Sequence, residues 1–219
     1  MTTQAVLFDL DGTLLDTLAD IASAANAALV LEGMPAHPDA AYRRFIGDGV
    51  DMLFRRALPL DQDHDDARIA RCVSHFHATY ATSWNVASRP YPGVPELLDA
   101  LAARGLPLAI LSNKPDEFTR LCAGHYLGRW TWAAVVGQRT GVPRKPDPTP
   151  ALMLAEAIGV PPARITYVGD SSVDMRTAAG AGMVAVGVSW GFRSVEELQA
   201  TGASAIIDHP LDLLPLLDR

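Results

Sequence analysis

Two aspartates, Asp9 and Asp11, stand one residue apart at the end of the apolar run Ala5-Val6-Leu7-Phe8 and directly before Gly12-Thr13. Three other segments carry comparable groups. Leu108-Ala109-Ile110-Leu111 leads to Ser112 and Asn113, Ile165-Thr166-Tyr167-Val168-Gly169 leads to Asp170, and Asp174 follows shortly after. Arg144-Lys145-Pro146-Asp147-Pro148 sets a lysine among prolines just ahead of a helical pattern. These residue types suit phosphoryl transfer: one carboxylate attacks phosphorus, another moves the proton, a hydroxyl donates to a phosphoryl oxygen and an ammonium offsets its charge. On that reading Asp9 is the nucleophile, Asp11 the general acid and base, and Ser112, Asn113 and Lys145 bind the substrate, Lys145 also screening the reacting group.

Such a gathering is restrictive. Two carboxylates at ~4 Å repel by about 1 kcal/mol in water and about 4 kcal/mol at an effective dielectric of 20. Asp9, Asp11, Asp170 and Asp174 can share one rim only with a bound cation, and an all-oxygen donor set selects a hard one, Mg2+.

The elements needed to bring these residues together are legible as a pattern. Ala5–Asp9 reads as a buried strand, since its apolar side chains lack the alternation of a solvated face. From His37 to about Trp84 apolar residues recur at helical spacing with no strand-like run, and Pro90, Pro92, Gly93 and Pro95 then form a breaker cluster that reads as a hinge. Beyond it, strands at 107–111, 133–136, 165–168 and 183–188 alternate with helices at 116–126, 149–158 and 172–181. That alternation predicts an α/β fold, a parallel sheet with helices on both faces and a helical insert after the first strand. Parallel neighbouring strands would deliver Asp9, Asp11, Ser112, Lys145, Asp170 and Asp174 to one edge of the sheet.

Composition limits the alternatives. The 219 residues are 49% hydrophobic with a net charge of −7, which suits a soluble globular chain and disfavours nucleic acid as a partner. Lys114 and Lys145 are the only lysines. Cys72 and Cys122 are far apart without metal or redox spacing and read as reduced, buried thiols. No targeting or membrane-spanning pattern is visible, so a cytoplasmic location is expected.

Asp9-Leu10-Asp11-Gly12-Thr13, Ser112-Asn113-Lys114-Pro115, Lys145-Pro146 and Gly169-Asp170-Ser171-Ser172-Val173-Asp174 together resemble, in order, the four motifs of the haloacid dehalogenase superfamily in its phosphatase branch. The resemblance implies a Rossmann-like core over 1–15 and 90–219, with an all-helical cap over 16–89 that closes over a small substrate. It implies an aspartyl phosphate on Asp9, acid/base catalysis by Asp11, and Mg2+ held by Asp9, the Asp11 main-chain carbonyl and Asp170, with Asp174 near it. Arg44-Phe45-Ile46-Gly47-Asp48-Gly49, Tyr91-Pro92-Gly93-Val94 and Gly180-Ala181-Gly182-Met183 are further similar to the phosphoglycolate phosphatases, which implies a small phosphorylated metabolite, 2-phosphoglycolate, as substrate.

Other readings compete at particular residues. Asp61, Asp63 and Asp65 occupy calcium-loop positions, but Asp66 and Cys72 stand where that loop needs glycine and glutamate. His75 and His77 do not share a helix face. Lys114 fits a site contact or a surface charge equally, and Arg43, Arg44, Arg55 and Arg56 can face a substrate carboxylate or solvent. Rival functions are a phosphatase for another small ester or pyrophosphate, a sugar-phosphate mutase, and a phospho-accepting receiver switch. A phosphonate-cleaving enzyme would need a lysine in the insert, and residues 16–85 have none.

Overall fold

The computed structural model describes residues 2–58 and 66–218, and the aspartates at 61, 63 and 65 lie outside them. The chain forms two compact units, one of residues 1–16 with 90–219 and the other of 17–89. The division falls between 16 and 17, so Asp16 belongs with the first unit and not with the insert as expected.

The first unit is built on β1 (Ala5–Phe8). All four of its side chains are buried, as a strand covered on both faces requires. The two-residue strands β2 (Leu15–Asp16) and β3 (Arg89–Pro90) lie where the chain passes between units. Then follow α5 (Val94–Ala103), β4 (Leu108–Pro115), α6 (Asp116–Leu127), β5 (Ala134–Gln138), α7 (Thr149–Ile158), β6 (Ile165–Gly169), α8 (Ser172–Ala181) and β7 (Val184–Val188). The sequence pattern ends there, but the fold continues through α9 (Val195–Ala200) and β8 (Ala205–Ile207).

The sheet runs β5-β4-β1-β6-β7-β8 and is parallel throughout. β4 and β5 leave β1 to one side and β6, β7 and β8 to the other. The order therefore reverses at β1, and open sheets of this kind place their ligands beyond the carboxyl ends of the strands at such a reversal. Leu7, Leu111, Tyr167, Leu154, Met175 and Leu198 belong to one packed core that fixes these strands in register.

Among its described residues the second unit carries α1 (Leu18–Leu31), α2 (Asp39–Phe45), α3 (Val50–Ala57) and α4 (Asp66–Ser83). Phe54, Phe76 and Tyr80 form its aromatic centre, with Phe76 and Tyr80 stacked at 5.2 Å between ring centroids. Asp20, near the start of α1, is buried and accepts hydrogen bonds from the Ala87 and Ser88 amides and the Ser88 hydroxyl, tying together the two ends of the unit. Among the described residues no helix is long and apolar enough to cross a membrane.

Candidate active site

β1 ends by placing Asp9 at the sheet edge, where its amide continues the ladder to the Val168 carbonyl at 2.9 Å. Asp9 Oδ1 accepts from the Leu10 amide at 2.7 Å and from Lys145 Nζ at 2.9 Å. The turn that follows converges on one acceptor, the Leu10 carbonyl, which takes the amides of Thr13, Leu14 and Leu15. Gly12 makes this turn possible: its φ is +86°, and a Cβ there would stand 2.3 Å from Asp170 Oδ2.

β6 delivers Asp170, whose Oδ2 accepts from the Phe192 amide at 2.7 Å. Ser171 then caps α8 in a reciprocal box with Asp174, the Ser171 hydroxyl donating to Asp174 Oδ2 at 2.6 Å. Asp174 Oδ1 faces the other way and accepts from Lys145 Nζ at 2.7 Å and Tyr167 Oη at 3.3 Å.

From the other side, β4 supplies Ser112, Asn113 and Lys114, all buried. Ser112 Oγ accepts from the Lys114 amide at 3.2 Å. The Asn113 carboxamide donates to the Lys145 carbonyl and accepts from the Lys145 amide, both at 3.0 Å, so the side chain holds the lysine's backbone. Lys114, left open between site and surface, is buried and donates to Asp11 Oδ1 and Oδ2 at 3.1 and 3.2 Å.

Asp9, Asp170 and Asp174 each offer an oxygen within 4.8 Å of the others. Fully ionised, these three carboxylates against the Lys145 ammonium would carry an excess of two negative charges in a buried volume. Burial and then Asp174 push the Asp9 carboxyl from 3.8 up to about 7, against the pull of Lys145. Asp170 is raised well above 3.8 by burial, then by Asp174 and Asp9. Burial disfavours the Lys145 ammonium too, yet Asp174 and Asp9 outweigh it and hold its pKa well above 10.5. One lysine cannot neutralise three acids, and a hard, oxygen-seeking divalent cation fits the remainder. The Asp11 carboxylate, which adds to the charge around Asp9, is paired with the other lysine, Lys114.

Other residues singled out in the sequence have partners of their own. Arg56 pairs with Asp48, Arg55 pairs with Asp66 at 2.5 Å, and His75 lies 3.3 Å from Glu32, all within the helical unit. Trp190 donates from its ring nitrogen to the Thr13 carbonyl at 3.0 Å, which pins the turn after Asp11. Cys72 and Cys122 are free and buried.

A parallel sheet reversing at β1, with buried acids and two buried lysines at its carboxyl edge, defines a Rossmann-like α/β protein with a buried acidic centre. The family model of haloacid dehalogenase-like hydrolases matches residues 6–188, and the chain belongs to that family. It is 35% identical over 96% of its length, and 78% of the relative's, to a phosphoglycolate phosphatase of Pseudomonas putida. An N-acetylmuramic acid 6-phosphate phosphatase of Pseudomonas aeruginosa is 34% identical over 100% of this chain and 96% of its own. A crystal structure from Lactobacillus delbrueckii subsp. bulgaricus superposes with a TM-score of 0.89 at 31% identity, covering 100% of this chain and 99% of the other. Members of the family generally use a divalent metal, in keeping with the buried acidic triad.

Proposed function

We propose that this chain is a Mg2+-dependent phosphomonoesterase that works through an aspartyl phosphate on Asp9, with 2-phosphoglycolate as its preferred ester. One observation carries the reading. Asp9 Oδ1 is anchored by Lys145 and the Leu10 amide, while Oδ2 accepts no hydrogen bond among the described residues. A nucleophilic carboxylate needs this division, one oxygen held and one open.

In the first step an Asp9 oxygen bonds phosphorus and the ester P–O bond breaks, its electron pair leaving with the alcohol oxygen as Asp11 gives that oxygen a proton. In the second, Asp11 takes a proton from water, the water oxygen bonds phosphorus, and the P–O bond to Asp9 breaks, releasing phosphate. Ser112 donates to a phosphoryl oxygen, for which its O–H remains available, since its only hydrogen bond among the described residues is an accepted one. Lys145 keeps its charge throughout and offsets that of the phosphoryl group. Asp9, Asp170 and the Asp11 carbonyl would hold Mg2+, with Asp174 close by, and the bound ion supplies further neutralisation of phosphoryl charge. In this reading residues 17–89 serve as the cap that selects the ester.

The phosphoglycolate assignment draws on the Pseudomonas putida relative, while the N-acetylmuramic acid 6-phosphate phosphatase at similar identity favours a second reading, a larger sugar phosphate. A phosphate-release assay over 2-phosphoglycolate, N-acetylmuramic acid 6-phosphate and hexose phosphates, with and without Mg2+, separates them. Preference for 2-phosphoglycolate by orders of magnitude is expected. Preference for the muramic ester would replace the substrate, and isomerised sugar without free phosphate would make the chain a mutase. Asp9→Asn should abolish turnover with the fold intact, and substantial Mg2+-dependent release by that variant would remove Asp9 as nucleophile.

A further inference from the structure

We infer that Lys114 is a positioning residue for proton transfer: it fixes the Asp11 carboxylate in the orientation from which Asp11 protonates the departing ester oxygen and then deprotonates water. The inference rests on the phosphomonoesterase reading above. Its starting point is burial. The chain has two lysines, and both are withdrawn from solvent, Lys145 at 3% exposure and Lys114 at 8%. A lysine in such a place persists only with an anionic partner. Between them the two pair with three of the four site acids: Lys145 takes Asp9 and Asp174, and Lys114 takes Asp11.

The contact geometry suits restraint. Lys114 Nζ reaches both Asp11 oxygens almost equally, at 3.1 and 3.2 Å, so rotation of the carboxylate would break one bond or the other. Asp11 needs this restraint because it follows the strand end, in a turn, on a side chain with two free torsions.

Lys114 is itself rigidly placed. Its amide donates to Ser112 Oγ at 3.2 Å and its carbonyl accepts from Thr119 Oγ1 at 3.1 Å. In a regular strand successive side chains alternate between faces. Pairing of β4 with β5 shifts register between Leu111 and Pro115, and Ser112, Asn113 and Lys114 are all buried across that irregularity. β5 leaves room for it: a Cβ at Gly137 would stand 2.6 Å from the Lys114 carbonyl oxygen and 2.4 Å from Thr119 Oγ1.

The test compares two leaving groups. An alkoxide needs the proton that Asp11 supplies, whereas p-nitrophenolate departs without one. The kcat/KM of Lys114→Met on the best alkyl phosphate of the panel should fall about 100-fold, with the loss in kcat, while its kcat/KM on p-nitrophenyl phosphate stays within about 3-fold. In an Asp11→Asn background the same substitution should cost less than about 3-fold, because there is no longer an acid to position. Lys114→Arg keeps the charge with different reach, should lose about 10-fold on the alkyl ester alone, and carries the test if the methionine variant misfolds. Equal losses on both esters, a raised KM with kcat intact, or full additivity with Asp11→Asn would overturn the inference and leave the phosphomonoesterase reading standing. Wild-type enzyme that releases phosphate from neither ester would overturn both.

Discussion

The proposed mechanism requires an ionised Asp9, yet burial and Asp174 push its pKa to about 7, and Asp170 is raised by the same two causes. A carboxyl whose pKa is higher folded than unfolded binds more protons in the folded chain. Its contribution to stability is therefore full below the unfolded pKa near 4 and is lost as pH rises through about 7. A divalent cation bound between these acids displaces the protons and removes that loss. The melting temperature in EDTA is thus expected to fall from about pH 5 to about pH 8 relative to the Mg2+-loaded protein, so that the gap between the two curves widens with pH. A gap that is constant or closes toward high pH would mean the metal does not sit among the raised carboxyls. Asp9 and Asp170 were readable in the sequence because each ends an apolar run, and Asp174 because it follows Asp170 within one motif. Lys114 was not, since nothing local distinguishes a buried lysine from a solvated one; its burial depends on a register shift and on a glycine in the adjoining strand. The hold of Asn113 on the Lys145 backbone is hidden for the same reason, its partner being far away in sequence.

Helix α8 shows how an element can serve chemistry and folding together. Its cap, Ser171, is boxed with Asp174, one of the site acids, so the box that starts the helix also turns one carboxylate oxygen toward Lys145. The strand–helix alternation around it was legible because the strands are apolar throughout and the helices are long enough to show their period. α9 and β8 were not, because six residues and three residues carry too little periodicity, and β8 is placed by pairing with β7 alone. Asp20 is another long-range feature: its buried carboxylate satisfies the amides of Ala87 and Ser88 across the whole length of the insert. Asp20→Ala leaves the buried Ser88 amide and the part-buried Ala87 amide without this partner and should destabilise the helical unit by on the order of 2–3 kcal/mol, with Asp20→Asn costing less. Limited proteolysis would report it as faster cleavage within residues 17–89. Unchanged cleavage would mean that water replaces the carboxylate at no cost.

Every acid and both lysines of the site belong to residues 1–16 and 90–219, while residues 17–89 have a separate aromatic centre. A ligand that binds only the folded site stabilises by mass action the cooperative unit that contains it. Mg2+ should therefore slow amide hydrogen exchange along β1, the end of β4, β6 and the first turn of α8. These segments carry Ser112 and Asp174 or end directly before Asp9 and Asp170. Exchange in α1 and α4 should stay within error of the metal-free protein, because opening of the helical unit breaks none of the carboxylate positions. Equal protection of α1 and α4 would show that the two units open together, and the metal's stabilisation would then belong to the whole chain. Protection confined to α1 or α4 would place the ion outside the acidic triad and take with it the assignment of Asp9, Asp170 and Asp174.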